Sequence, residues 1–228
     1  MAEENARKHF DKDAEEYDGF IPKVVPYYYE KIMALVNALP FPDDSSLEIL
    51  DLGSGTGAVT RVIKERYPEA RVTCLDVSEN MLAKAEERLN NFRGITFVPG
   101  DFNSIEYEEE YDAVVTSLAL HHLGSEAKKL ENYRRIYRAL KPGGVFYNAD
   151  VVAGPGSYLE ALYIEKWKEF MRKSFSEEEI ENEWLRRHAE EDHPVSLHIH
   201  FKLLQEAGFK EIEVVWKYYH GAVFGGVR

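Results

Sequence analysis

The chain has a single cysteine, Cys74, in 228 residues, which excludes an internal disulfide. No apolar run approaches the ~20 residues that a membrane-spanning helix requires. Basic residues are scarce: 28 Lys and Arg stand against 41 Asp and Glu, a net charge of −13. Proteins that track a phosphate backbone carry a clustered basic face and draw much of their affinity from it, so a nucleic-acid partner is not expected. The opening residues Met1-Ala2-Glu3-Glu4 are acidic and lack the basic-then-apolar form of a signal peptide, which makes the cytoplasm the expected location. There is no internal repeat and no low-complexity tract.

What the sequence does contain is an alternation. Short runs rich in Val, Ile and aromatics, bounded by turn residues, predict strands at 47–52, 71–75, 95–98, 111–116 and 144–149. Helical patterns lie between them at 59–67, at 78–89 behind Ser78, and at 126–140 behind Ser125. Such alternation specifies parallel strands joined by right-handed crossovers, with helices on both faces. A chain of this length can bury a full core, and one domain over 1–228 is expected.

Beyond Asp150 the rhythm changes. Leu159, Leu162, Trp167, Phe170 and Met171 mark a helix, and Ser176 with Glu179 forms a capping box for another, so a helical insertion is expected over 155–195. A helix from Ser196 ends at Gly208, and the runs 210–216 and 218–227 predict an antiparallel hairpin. Ahead of the first strand, 23–39 reads as one helix within an N-terminal flap, 1–40. The expected fold is α/β: a Rossmann-like doubly wound sheet of seven strands over a 47–150 core, the last strand antiparallel.

The stretch Glu48-Ile49-Leu50-Asp51-Leu52-Gly53-Ser54-Gly55-Thr56-Gly57 runs from an apolar strand into a carboxylate and three alternate glycines. Glycine opens backbone conformations closed to other residues and leaves no Cβ between chain and ligand, so this loop is expected to hold something small. Ligands of such sheets sit beyond the carboxyl ends of the strands, where the strand order reverses. The spacing is GxGxG with Ala58 next, not the GxGxxG of dinucleotide sites. Two more carboxylates, Asp76 and Asp101, follow the second and third strands, and the first can accept hydrogen bonds from both hydroxyls of a ribose.

With these features in order over 47–144, the chain resembles the class I S-adenosylmethionine-dependent methyltransferases. The resemblance implies S-adenosyl-L-methionine as cofactor and methyl transfer as activity. It implies that Asp51, Gly53, Ser54, Gly55 and Gly57 cradle the methionyl part and that Asp76, with Val77 beside it, binds the ribose. Met81 would pack against the adenine, Asp101 and the main chain of Phe102 would bind its edge, and Ser117 would lie at the floor of the reaction site. Tyr17, within Asp13-Ala14-Glu15-Glu16-Tyr17-Asp18, resembles the family's amino-terminal tyrosine that closes over the cofactor. An aromatic face near a sulfonium gains cation–π attraction, and closure excludes water. Tyr27, Tyr28 and Tyr29 would line the same mouth.

Methyl transfer from a sulfonium is an in-line displacement, so holding nucleophile and methyl together in a dry pocket supplies much of the catalysis. A base is needed only if the acceptor must lose a proton. His121, with His122 beside it, is the candidate, since imidazole titrates near neutral pH; a structural role is the alternative. No metal site is expected from Asp192-His193-Pro194, His198 and His200, because histidines two apart on a helix face different ways. The expected acceptor is a small molecule, and the expected assembly a monomer or homodimer. Two alternatives stand beside this reading. One is a non-catalytic S-adenosylmethionine-binding module; the other is an enzyme making or using a carboxylated form of the cofactor, which 10–29 loosely resembles. The second would need a cation placed for the extra carboxylate.

Overall fold

A computed structural model describes residues 16–103 and 111–228; of the expected flap, residues 1–15 lie outside the described residues. The described chain opens with helices α1 (Tyr17–Val24) and α2 (Tyr28–Asn37). Alternation follows: β1 (Glu48–Leu52), α3 (Ala58–Arg66), β2 (Arg71–Asp76), α4 (Glu79–Leu89), β3 (Ile95–Pro99) and β4 (Tyr111–Ser117). A short 3₁₀ turn (Leu120–His122) leads to α5 (Glu126–Ala139) and β5 (Leu140–Val151). Next come α6 (Ser157–Met171), α7 (Glu177–Glu179), a π-helical stretch (Ile180–Leu185) and α8 (Arg186–Glu191), then α9 (Leu197–Ala207), β6 (Lys210–Tyr218) and β7 (Gly221–Val227).

The seven strands form one sheet in the order β3-β2-β1-β4-β5-β7-β6, with β7 antiparallel to β5 and β6 and the other pairs parallel. From β1 the chain steps outward to β3 and then returns past β1 to β4, so the strand order reverses between β1 and β4. Successive side chains on a strand face opposite ways. Ile49, Cys74 and Val115 therefore join the core under α2 and α3, while Leu50, Leu75 and Val114 join the core under α5 and α9. A third cluster packs Trp167, Met171, Ile180 and Trp184 against Val24 of α1, and Trp167 Nε1 donates to the Val24 carbonyl at 2.7 Å. That cluster ties the helices between β5 and α9 to the start of the chain.

The structure departs from the sequence reading in three places. The single helix expected at 23–39 is two, because Pro26 lacks an N–H and disfavours helical backbone in the residue before it. Val25 is extended, and Tyr27 takes a left-handed conformation (φ 54°). β5 starts four residues earlier than expected, beyond an irregularity in its pairing with β4. In the C-terminal hairpin Tyr218 ends β6 rather than opening the last strand, and the reversal falls on Tyr219 and His220.

Candidate active site

Leu52 pairs with both Leu75 and Thr116, so β1, β2 and β4 end together along one edge of the sheet. The glycine loop turns there. Gly53 and Ser54 donate their N–H groups to the Leu75 carbonyl at 2.8 and 3.1 Å, and Gly55 N–H donates to Asp76 Oδ2 at 2.8 Å. Asp76 Oδ1 accepts from Ser78 N–H at 2.9 Å, so this carboxylate braces the loop from the end of β2. Gly53 has φ 64° and Gly55 φ 52°, in the left-handed region that side chains disfavour. A Cβ on Gly53 would lie 2.6 Å from Ala119 Cβ and 3.8 Å from the Phe102 ring; this glycine lets the segments after β1, β3 and β4 meet. A Cβ on Gly55 would meet nothing within 4 Å, so its backbone faces open space.

Asp51 is fully buried, and its Oδ2 accepts from Thr60 Oγ1 at 2.6 Å while Oδ1 has no hydrogen-bond partner among the described residues. Burial pushes its carboxyl up to about 7, opposed by the Thr60 hydrogen bonds and helped by the charge of Asp76. The hydroxyls of Ser54 and Ser117 are also buried without hydrogen-bond partners among the described residues. Ser78 caps α4 by accepting from Met81 N–H at 3.2 Å, which seats Met81 in the first turn, buried; Val77 is half-buried. Asp101 is exposed and accepts from Asn103 N–H at 2.8 Å, closing a local turn under the half-buried Phe102.

α1 is fastened over this loop. Asp18 Oδ1 accepts from Thr56 Oγ1 at 2.7 Å and from Arg88 Nη1 at 3.1 Å, and Arg88 also donates to the Thr56 carbonyl at 3.3 Å. Tyr17 thereby sits next to the site, its ring edge-on to Phe20 at 5.5 Å, and burial raises its hydroxyl well above the ordinary tyrosine value.

After β4 the chain passes through Leu118, left-handed at φ 54°, into the turn that carries His121 and His122. Lys129 Nζ donates to the carbonyls of Leu120 and Leu123, both at 2.9 Å, and pins the turn. His121 Nδ1 lies 2.5 Å from Oδ1 of the buried Asp150, whose Oδ2 accepts from His121 N–H at 3.1 Å. Asp192, just past α8, places Oδ2 2.7 Å from His188 Nδ1 and Oδ1 3.2 Å from His122 Nδ1. Burial alone would raise both carboxyls, but the neighbouring imidazoles hold Asp150 and Asp192 well below the usual carboxylate range. Burial would likewise lower His122, and its hydrogen bond to Asp192 overturns that into a net rise. Tyr17, Leu118, His121, Trp167, Arg187 and Asp192 are among the residues lining a cavity of about 120 Å³ here.

The family described as "Methyltransferase domain" matches residues 49–144. The chain is 32% identical over 142 residues to malonyl-[acyl-carrier protein] O-methyltransferase of Acetivibrio thermocellus, covering 60% of this chain and 46% of that protein. It is 27% identical over 222 residues to carboxy-S-adenosyl-L-methionine synthase of Nautilia profundicola, covering 94% and 92%. The chain thus spans about half the length of the first relative and nearly all of the second. Among solved structures, phosphoethanolamine N-methyltransferase 2 of Haemonchus contortus, bound to phosphomonomethylethanolamine and S-adenosylhomocysteine, shares the fold with a TM-score of 0.67. The identity there is 23%, covering 90% of this chain and 43% of that one. Over residues 49–144 the chain is thus similar to S-adenosylmethionine-dependent methyltransferases.

The strand-end groups of this chain fit S-adenosylmethionine as a cofactor. Among the described residues, Gly55 presents bare backbone to open space, and Asp51, Ser54 and Ser117 hold buried polar atoms that no described group satisfies. Asp76 and Asp101 stand at the ends of β2 and β3, as spacing expected, and Tyr17 and His121 share the cavity. The sequence reading missed Thr60, the Asp18–Thr56–Arg88 clamp, Asp150, His188 and the part played by Asp192. Asp150 lies near the carboxyl end of β5, where the strand-end rule finds it; His188 is on α8 and Asp192 just past its end, where only the neighbouring turn reveals their purpose. His198 and His200 do not join the group. His198 is exposed, and His200 Nδ1 is 2.7 Å from Tyr133 Oη in the core. No helix among the described residues is long and apolar enough to cross a membrane.

Proposed function

We propose that this chain transfers the methyl group of S-adenosyl-L-methionine to a small-molecule acceptor held in the cavity beside α1, the 120–122 turn and α8. The observation that carries this reading is the contact of Gly53 with Ala119: the glycine loop and the cavity-lining turn share one wall at the end of β4. A ligand on the loop and an acceptor in the cavity would meet there. When bound, the cofactor supplies an electrophilic methyl on a positive sulfur. The chain supplies the rest: Asp51 and the loop backbone take the methionyl part, Asp76 with Val77 the ribose, Met81, Asp101 and Phe102 the adenine. Ser117 lies at the β4 end, and Tyr17 on the clamped α1 excludes water. Asp150 fixes the His121 ring so that Nε2 is presented on the cavity side.

Turnover of methyl-labelled S-adenosylmethionine with amine, hydroxyl, thiol and carbon acceptors tests this. Label on one acceptor class is the expected outcome; tight cofactor binding with no transfer to any acceptor would favour a non-catalytic module. Thermal stabilisation by NADH but not by S-adenosylhomocysteine would refute the cofactor assignment itself. A second reading, an enzyme making or using a carboxylated cofactor, is favoured by Arg187 in the cavity wall and by likeness to the carboxy-S-adenosyl-L-methionine synthase along nearly the whole chain. It requires that the nucleoside co-purifying with the protein be heavier than S-adenosylmethionine by one carboxyl group, which mass spectrometry reads directly.

A further inference from the structure

We propose that His121, His122 and Asp192 form a binding site for one divalent first-row transition-metal ion, of the zinc, cobalt or iron kind, in the wall of the cavity. One ligand atom from each of the three lies within 4.8 Å of the other two. Asp192 Oδ1 is 3.5 Å from His121 Nε2 and 3.2 Å from His122 Nδ1. Ligands about 2.0–2.2 Å from a tetrahedral ion lie about 3.3–3.5 Å from one another, so the two spacings from Asp192 suit one ion, and the histidine pair, within 4.8 Å, can close on it.

The surroundings point the same way. Asp150 engages Nδ1 of His121, which leaves the Nε2 lone pair turned toward Asp192. A nitrogen lone pair and a carboxylate oxygen both seek a positive partner, and only a proton or a cation between them makes their approach favourable. A carboxylate on the far nitrogen of an imidazole is the usual outer support of a metal-bound histidine, fixing its tautomer and raising its basicity. His188 holds the second oxygen of Asp192 at 2.7 Å in a similar way. Two imidazoles and one carboxylate leave coordination positions open, as in mononuclear sites that bind a substrate at the metal. All three residues line the cavity, so those positions face the bound small molecule and would be met by an oxygen donor on it.

The test is titration of the metal-stripped full chain with Zn²⁺ by calorimetry and with Co²⁺ by its visible absorption. One equivalent is expected to bind, with His122→Gln and Asp192→Asn each weakening it at least about 10-fold, Asp150→Asn weakening it about 10- to 100-fold, and exposed His198→Gln changing nothing. Paramagnetic shifts from Co²⁺ in the unmutated chain are expected on the ring protons of His121 and His122, a readout independent of how the variants fold. Absence of saturable binding, binding that survives both His122→Gln and Asp192→Asn, or shifts on other histidines instead would overturn the site. Because neither S-adenosylmethionine nor turnover enters these readouts, the outcome is separable from that of methyl transfer.

Discussion

The glycine loop after β1 and the histidine turn after β4 stand at neighbouring strand ends, yet they draw their partners from different distances along the chain. Asp51 is held by Thr60, 9 residues on, and the Gly55 amide by Asp76, 21 residues on. The histidine turn relies on Asp150, 29 residues from His121, and on the end of α8, where Glu191 lies 69 residues from His122. The first half is mostly backbone and short spacing; the second is buried charge brought together by packing. Loss of a side chain should therefore act differently in the two halves: on ligand affinity in the loop, on stability at the turn.

The largest expected effect is at the turn. His121→Ala leaves Asp150 buried without its main counter-group and should cost about 3 kcal/mol of stability, read by urea unfolding, with little change in S-adenosylhomocysteine affinity once the protein is folded. A cost near zero would mean that Asn148 and the main chain satisfy Asp150 alone. In the loop, Gly53→Val combines a left-handed φ with a Cβ too close to Ala119 and should cost about 2–3 kcal/mol. This is the one loop change expected to look like a turn change, because Gly53 is where the halves touch.

Asp76→Ala should weaken cofactor binding by about 1–3 kcal/mol with a smaller change in stability; unchanged affinity in a calorimetric titration would place the ribose elsewhere. The smallest effect has a distinctive pH dependence. Burial holds the folded-state pKa of Asp51 at about 7, above the ~3.9 of an unfolded aspartate, so its ionisation opposes folding increasingly as pH rises from ~4 through 7. Asp51→Asn should then stabilise the cofactor-free protein at pH 8 and not at pH 4, while weakening cofactor binding. Equal melting temperatures at pH 8 would show that the charge is already compensated.

The same contrast sets what could be read from sequence. The strands, the loop, and the carboxylates Asp76 and Asp101 follow from a repeating pattern of apolar runs and turn residues, each readable within a short window. The helix break at Pro26 was equally local and shows a rule outweighed by apolar periodicity: the pattern over 23–39 fits one helix until the missing N–H is counted. The cavity is another matter. His122 meets Asp192 only because the third core cluster pulls the 157–191 helices onto α1, and no spacing in the sequence encodes that contact. Asp192, His198 and His200 looked like one cluster by proximity in the chain, whereas the fold keeps the first and sends the other two to the surface and the core.

The π-helical stretch at Ile180–Leu185 bears on the origin of that arrangement. Relative to an α-helix it carries an extra residue, and one residue corresponds to about 100° of rotation around a helix axis. At its start Ile180 is directed into the third cluster, and downstream Arg187, His188 and Asp192 line the cavity. A single-residue insertion can thus re-aim everything after it while leaving the anchoring turn in place. Removing one residue from the stretch would act as a phase shift, turning the acceptor wall away from His121 without touching the cofactor loop, and a related chain with a regular helix here would be expected to present a different set of side chains to its substrate.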